Sequence, residues 1–394
     1  TAETTESEGL TSFTSNGFTL GSLDQVNTNN ESFVGWSWKA SGGSAPSITY
    51  TVKVVSDSGN KYRFDDFGTS AVTLDLQEGG TYTFDQSDSS NATHPLRFYT
   101  AADKSGGEYT TGVTTNGTPG SSGAYTRITV AASAPTLYYQ CSSHAAMGGA
   151  VNTNSTFGSS NFAGSIQSTV QTNSDAGFSI VKYTGTGSAG TVGHGLSSAP
   201  EWVMTKSISN DTSDGFTTYH TGLTSASYYI DLSKTNAQNS ASVVWNGTAP
   251  TSSVFSIGSA TGTNTSSATY VAYCWHGVDG FSKFGKYTGT GSNPGPFIYT
   301  GFKVSWLLVK ANNAANWYLC DDARSPINPL TTFLHPDRSD ADYSNFGRGF
   351  DFLSNGFKVR QESGYGNNYS GVDTFYMAFA ELPFFDDQSP VTAR

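Results

Sequence analysis

Stretches in which apolar and polar residues alternate are spread along the chain, separated by turns rich in Gly, Asn and Ser. Alternation with a period of two is typical of a β-strand that buries one face. Between residues 47 and 153 it predicts six strands, which are Ile48–Val54, Ala71–Leu76, Thr81–Phe84, Leu96–Phe98, Ala124–Val130 and Thr136–Tyr139. Strands at this spacing are typical of a β-sandwich. Because no heptad repeat or long amphipathic helical segment accompanies them, we predict an all-β chain of several sandwiches.

A repeat organises the second half of the chain. The heptapeptide Lys182–Ser188 recurs unchanged at Lys286–Ser292, 104 positions later. Further matches at similar spacing are Trp202–Lys206 with Trp306–Lys310, Ser253–Ile257 with Asn355–Val359, and Tyr270–Trp275 with Phe375–Ala380. Self-similarity at a fixed period indicates repeated structural units. We therefore predict two related β units, at 177–279 and 281–384, followed by a C-terminal tail at 385–394.

The N-terminal region contains only the last part of such a unit. Ser15–Leu20 resembles Ser354–Val359, and Ser32–Trp38 resembles the closing strand Tyr270–Trp275. We interpret residues 1–46 as a partial repeat, and we expect upstream sequence or a neighbouring chain to supply its front. Residues 154–176 are rich in Ser and Asn, which predicts a linker or an extended surface arm.

Composition narrows the classes of partner. Charged residues make up 13% of the 394 residues, and the formal net charge is −11 without a basic cluster. Nucleic-acid binding depends on phosphate neutralisation by Lys and Arg, so we predict no nucleic-acid partner. No run of 18 apolar residues occurs, which predicts no membrane insertion. Because repeated units bury surface against neighbours, we expect a homo-oligomer, such as a homotrimer.

One short loop carries the residue types of a metal site. The sequence YYQCSSHAAMGG places Cys141, His144 and Met147 at intervals of three, in a chain with three Cys, six His and three Met. Cysteine, two histidines and a weakly bound methionine form the ligand set of a mononuclear copper centre. A fourth ligand must come from elsewhere, and His94 is the only histidine upstream. A chance coincidence of three such residues is the alternative explanation.

With NATHPLRF and YYQCSSHAAMGG in this order, residues 47–153 resemble a cupredoxin domain. The resemblance implies copper ligands at His94, Cys141, His144 and Met147. It does not imply that copper is bound or has a role in the cell.

The other candidate sites are weaker. Cys274 and Cys320 lie in apolar runs and are expected to pack as small hydrophobic residues. The isolated histidines are expected at the surface or at interfaces; they are His194, His220, His276 and His335. Acidic clusters such as 65–66, 321–322 and 337–342 lack EF-hand spacing, and Ca²⁺ there is a minor alternative. The aromatic residues Trp317, Tyr318, Tyr365 and Tyr369 are expected in the core, with stacking on sugars as the alternative.

The repeat units resemble a repeat found in structural proteins of marine phages. The resemblance rests on the KYTGTGS strands, Gly301–Lys310, Leu353–Phe357, Tyr376–Ala380 and the closing Pro390–Arg394. It implies a virion-surface, extracellular protein without catalytic residues, such as a tail fibre in host attachment. Other virion proteins and a host-surface glycan or protein receptor would be its partners. Alternatives are a capsid decoration or head fibre, a bacterial adhesin or filament subunit, an extracellular copper electron-transfer protein, and a glycan depolymerase.

Overall fold

The computed structural model describes residues 6–14, 17–40, 45–153, 158–209, 215–344, 349–360 and 367–381. Over this part of the chain the fold is all-β, with strands arranged in eight sheets and only very short helices. No helix in the described ranges is long and apolar enough to cross a membrane. The C-terminal tail predicted at 385–394 lies outside the described residues.

The N-terminal segment forms a small hairpin and one helical turn. Its elements are β1 (Leu10–Thr14), β2 (Gly17–Leu20) and α1 (Asp24–Asn27). The two strands pair antiparallel, with Phe13 opposite Phe18. Residues 32–38, predicted as a closing strand, are not a strand in the structure. In both complete units the equivalent strand has a strand on each side, whereas no strand of the described residues pairs with residues 32–38.

The segment from 47 to 152 is a two-sheet sandwich. Its strands are β3 (Ser47–Ser56), β4 (Asn60–Phe64), β5 (Leu74–Asp75), β6 (Thr81–Asp85), β7 (Leu96–Tyr99), β8 (Val113–Asn116), β9 (Tyr125–Thr129), β10 (Leu137–Cys141) and β11 (Ala150–Asn152). One sheet has the order β4-β3-β6-β9-β8 and the other β5-β11-β10-β7. Each contains one parallel pair, β3 with β6 and β5 with β11. Alternate residues such as Tyr50, Tyr82 and Phe98 fill the space between the sheets.

Over its described residues, the first repeat region contains ten strands and two short helices. They are β12 (Ser159–Asn161), β13 (Ser168–Asn173), β14 (Phe178–Thr184), β15 (Gly190–Gly193), β16 (Trp202–Ser207), β17 (Thr217–His220), β18 (Tyr228–Asp231), β19 (Asn239–Ser240), α2 (Ser242–Trp245), β20 (Val254–Ile257), α3 (Thr261–Asn264) and β21 (Thr269–Trp275). The main sheet has the order β12-β13-β14-β21-β16-β17-β18-β19, and β15 pairs with β20.

In the part of the second repeat region that the structure describes, there are nine strands. They are β22 (Ser282–Thr288), β23 (Phe297–Tyr299), β24 (Val304–Ala311), β25 (Trp317–Asp321), β26 (Thr332–Phe333), β27 (Tyr343–Ser344), β28 (Phe350–Leu353), β29 (Gly356–Val359) and β30 (Asp373–Ala380). Its main sheet, β22-β30-β24-β25, has the strand order of β14-β21-β16-β17 in the first region. In both regions the closing strand, β21 or β30, is therefore central.

The two repeat regions share one aromatic core. Phe178, Trp202 and Trp275 of the first main sheet belong to the same buried cluster as Trp306 and Phe379 of the second. A second cluster fills the inside of the second region, between its main sheet and the hairpin β28–β29. Each main sheet thus buries both faces, one within its own unit and one against its neighbour. The near-continuous apolar runs of β24 and β30 follow from this arrangement.

The segment at 154–176 is not a linker over its described part. β12 and β13 extend the main sheet of the first region. Phe162 enters the core of the sandwich, and Ile166 and Val170 enter the core of the repeat region. The Tyr50 hydroxyl donates a hydrogen bond to the Ser160 carbonyl at 2.8 Å. A few well-placed apolar residues therefore decide the structure of a segment whose composition is mostly polar.

Candidate metal centre

Strand pairing brings the first two candidate ligands together. β7 and β10 run antiparallel, with Leu96 opposite Cys141. His94 comes two residues before Leu96, and Cys141 ends β10, so both lie at the same end of this sheet. The Ser142 N–H donates to the Pro95 carbonyl at 2.9 Å, which continues the pairing past the strands. His144 follows in the loop that leads to β11.

The ligand atoms of the three side chains lie as close together as the ligands of a single metal ion do. The Cys141 Sγ lies 3.8 Å from His94 Nδ1 and 3.5 Å from His144 Nδ1. Sulfur and nitrogen bound to one metal at about 2.3 and 2.0 Å, at tetrahedral to trigonal angles, are separated by about 3.5 to 3.7 Å. The ligand atoms of all three residues lie within 4.8 Å of one another. The geometry therefore fits a single ion bound by a thiolate and two imidazoles.

The centre is buried on one side and open on the other. Cys141 is completely buried, His94 is 8% exposed, and Met147 is 1% exposed in the same core cluster as Cys141. His144 is exposed. A metal ion would therefore reach the site past His144, while the apolar core shields the thiolate from water.

Hydrogen bonds hold the ligand loop in place. The Gln140 Oε1 accepts from the backbone N–H groups of Met147 and Gly148 at 3.0 and 3.2 Å. The Lys104 ammonium donates to the carbonyls of Cys141 and His144 at 3.2 and 3.4 Å. These bonds fix the loop before a metal ion arrives, which lowers the entropic cost of metal binding.

His94 is oriented by its neighbours. Its carbonyl accepts from the Tyr62 hydroxyl and the Gln86 amide, both at 2.8 Å. Its Nε2 faces the Asn60 amide at 3.4 Å, which leaves Nδ1 directed at the thiol. Burial, and then the nearby His144, lowers the pKa of His94. A neutral imidazole offers the lone pair that a metal requires.

Sequence reasoning named His94, Cys141 and His144, which the fold brings together, but not the residues that support them. Gln140 precedes Cys141 on the strand, so alternation directs its side chain to the opposite face of the sheet from the thiol. From that face the Gln140 Oε1 accepts the backbone hydrogen bonds of Met147 and Gly148, where the loop leads back to the sheet. Nothing in the sequence marks Lys104 or Asn60, because their proximity depends on how loops close over the sandwich.

The other candidates do not form metal sites in the described residues. The group of His94, Cys141 and His144 is the one cluster of at least three His, Cys, Asp or Glu side chains there that could hold an ion. Cys274 and Cys320 are completely buried in apolar cores, as expected, and burial raises the pKa of both thiols. Several carboxylates of the acidic clusters pair with cations, for example Asp321 with Arg324 at 2.7 Å.

Three of the isolated histidines are buried. His194 and His220 have no exposed surface and His335 is 9% exposed, so a surface position is wrong for His194 and His335. His220 lies between the two repeat regions, where its Nε2 is 3.2 Å from the Tyr376 carbonyl. Trp317 and Tyr318 are core residues, as expected, and so are not open to sugars. Tyr365 lies outside the described residues.

The sequence model of a protein family described as a domain of unknown function (DUF7483) matches residues 1–92 and 150–383. The chain therefore belongs to this family. The residues between the two matched ranges contain all four candidate ligands, so family membership alone does not predict a metal site. Comparison with curated proteins and with solved structures gave no significant match.

Proposed function

We propose that the protein is a non-enzymatic structural protein of a virion surface, whose cupredoxin-like sandwich binds one copper ion. The observation that supports the structural role is the packing of the repeats. Two main sheets that share the order of four equivalent strands bury their aromatic faces against each other. Such stacking suits an elongated fibre or adhesin, in which each unit is stabilised by its neighbours. The tail-fibre role in host attachment rests on the resemblance of the repeat sequences to those of marine phages.

The convergence of Cys141, His94 and His144 supports copper binding. One thiolate and two imidazoles, with Met147 buried nearby, match the preference of copper for soft sulfur combined with nitrogen. Bound copper would supply a one-electron redox couple. The residues of the chain keep both imidazoles directed at the thiol, shield that thiol in the core and leave His144 at the surface.

Titration with Cu(II) tests the metal proposal. We expect one equivalent to bind and to produce the strong visible absorption of a copper–thiolate bond. The Cys141→Ala variant should lose this absorption, whereas Cys274→Ala, which removes another completely buried thiol, should retain it. A wild-type protein that remains colourless and binds less than 0.1 equivalent of Cu(II) would refute the copper site.

Immunolabelling of purified particles tests the structural role. We expect an antibody against this chain to label phage tails in electron micrographs, and light scattering of the purified protein to give a homo-oligomer. Label over the head would favour a capsid decoration or head fibre, and label on bacterial surfaces an adhesin or filament subunit. Sugar release from host envelopes by the purified protein would contradict a non-enzymatic role.

Copper electron transfer is a second candidate function, favoured by the exposed imidazole of His144. A surface ligand provides a short path for electrons between the metal and a partner protein. This function predicts that the copper-loaded protein can be reduced and reoxidised repeatedly with its visible band restored. Loss of the metal on reduction would leave only a structural role for copper.

A further inference from the structure

Strand β23 of the second repeat region exposes two aromatic side chains on one face. Phe297 and Tyr299 are 44% and 59% exposed, whereas Ile298 between them is buried. Two residues apart on a strand, the Cα atoms of the aromatic pair are separated by about 7 Å. In the described residues β23 pairs with β29 alone, so it is the outer strand of its sheet. Large apolar side chains exposed together indicate a surface that binds a partner.

The first repeat region contains a matching strand. β15 pairs antiparallel with β20, just as β23 pairs antiparallel with β29. Val192 lies opposite Phe255 in the first pair, and Ile298 lies opposite Phe357 in the second. The sequence repeat already matches Phe255 with Phe357. The register of the strands therefore aligns Val192 with Ile298.

The two strands differ at the exposed positions. This alignment places Thr191 and Gly193 of β15 where β23 has Phe297 and Tyr299. The partner strand differs in the opposite sense, because Val254 lies opposite Gly193, whereas Gly356 lies opposite Tyr299. A Cβ on Gly356 would lie 3.0 Å from the Phe297 Cζ, so the missing side chain leaves room for this aromatic ring.

The small residues of β15 are needed because a neighbouring segment covers that strand. The N–H groups of Ser165 and Ile166 both donate to the Thr191 carbonyl at 3.0 Å. A Cβ on Gly193 would lie 2.4 Å from the Asn161 Oδ1, so a larger side chain would collide with this segment. The aromatic residues of β23 exclude an equivalent cover, and no described strand pairs with the outer edge of β23. The second region therefore keeps open a surface that the first region closes.

A lysine lies beside each aromatic residue. Lys358 is directly opposite Phe297 on β29. The Lys283 Nζ lies 5.3 Å from the centroid of the Tyr299 ring and donates to the Tyr299 carbonyl at 3.1 Å. An ammonium group near an aromatic ring is also attracted to its face, which keeps Lys283 at this surface.

These lysines make the surface locally positive, although the formal net charge of the chain is −11. The acidic neighbour of Lys358 across the sheet is Asp351 on β28. Its carboxylate is paired with the Arg360 Nε at 2.7 Å. Lys283 and Lys358 therefore favour a ligand that carries negative charge.

We propose that Phe297, Tyr299, Lys283 and Lys358 form a binding site for an anionic glycan. The C–H groups of a sugar ring pack against the partly negative face of an aromatic ring. The two ammonium groups bind carboxylate or sulfate groups on the sugars. This site names the class of receptor for the proposed host attachment, and its biological role rests on that proposed function.

Calorimetric titration of the full chain with two anionic probes tests the site. The probes are alginate oligosaccharides, which carry a carboxylate on each sugar, and dextran sulfate. We expect binding of at least one probe that weakens as the NaCl concentration is raised, because salt screens the charges of exposed lysines. Neutral dextran should not bind. Absence of binding to both anionic probes, or equal binding of neutral dextran, would overturn the proposal.

Variants of exposed residues separate binding from folding. Tyr299→Ala and Lys358→Gln should each weaken binding by about tenfold or more, without a lower melting temperature. Tyr299→Trp should bind as the wild type does, because it retains an aromatic face. The matched control is Phe33→Ala, which removes an aromatic side chain that is 51% exposed in another segment, and it should leave binding unchanged. Full binding by Tyr299→Ala would contradict the site.

Two further outcomes distinguish this site from its alternatives. A peptide copying residues 161–166 should not bind; its binding at the outer edge of β23 would indicate strand addition and overturn the glycan site. Glycan binding by the purified chain does not depend on where immunolabelling places it. Binding to an anionic probe without labelling of phage particles would therefore support the site and refute only the proposed virion role.

Discussion

Protonation of His220 should destabilise the contact between the two repeat regions. Its Nε2 donates to the Tyr376 carbonyl at 3.2 Å, and its Nδ1 accepts the Gly222 N–H at 2.8 Å. The imidazole is therefore neutral, with the proton on Nε2. Complete burial lowers its pKa to about 4, and Lys286 contributes in the same direction. A second proton would have to enter at Nδ1 and would break the bond from Gly222.

The sign of the pH dependence follows from this lowered pKa. The unfolded chain binds a proton near the ordinary value of 6.5, while the folded chain does so only near pH 4. The unfolded state therefore binds more protons between these values, and stability falls as pH falls from about 7 towards 4. Between pH 7 and pH 5 this single group should remove about 2 kcal/mol from the free energy of unfolding.

Urea unfolding followed by tryptophan fluorescence measures this effect. All seven tryptophans lie outside the sandwich at 47–153, so their signal reports the repeat regions. His220→Gln retains a donor and an acceptor but cannot be protonated in this range. The variant should therefore lose about 2 kcal/mol less than the wild type between pH 7 and pH 5. Parallel curves above pH 7 serve as an internal control, and equal losses in both proteins would refute the reasoning.

Two further predictions concern the interior. Lys310→Ala should cost about 2 to 4 kcal/mol of unfolding free energy, because the completely buried ammonium donates to three carbonyls, two of them at 2.8 Å. The control variant is Lys303→Ala, which removes an exposed ion pair. It should cost less than about 1 kcal/mol in the same urea experiment. Gly148→Ala should reduce Cu(II) binding, because a Cβ there would lie 1.6 Å from a backbone carbonyl oxygen and displace the ligand loop. The control variant is Gly68→Ala, whose Cβ would lie in open space. It should bind Cu(II) as the wild type does. An unchanged stability of Lys310→Ala, or unchanged copper binding by Gly148→Ala, would contradict these assignments.

Local periodicity in the sequence was sufficient to predict several features of the fold. The alternating residues of Ile48–Val54 lie in β3, and the apolar run Tyr270–Trp275 lies in β21. The 104-residue repeat predicted related units, and four equivalent strands have the same order in their two main sheets. These features depend on sequence neighbours or on self-similarity, both of which are visible in one dimension. The ligand loop at 141–147 was equally visible, because its spacing is local.

Tertiary structure decided the features that depend on contacts between distant residues. His94 reaches Cys141 only because β7 pairs with β10 in one register, and a shift by one residue would turn each side chain to the opposite face. The side chain of Phe162 lies in the core of the sandwich and so attaches a mostly polar segment to it, although the composition of that segment indicates a linker. Residues 33–38 have the alternation of a strand but do not form one, because a strand requires hydrogen-bonding neighbours. The sequence by itself thus determined the all-β class, the repeat and the residue types of the candidate metal centre, whereas the fold decided which distant groups meet.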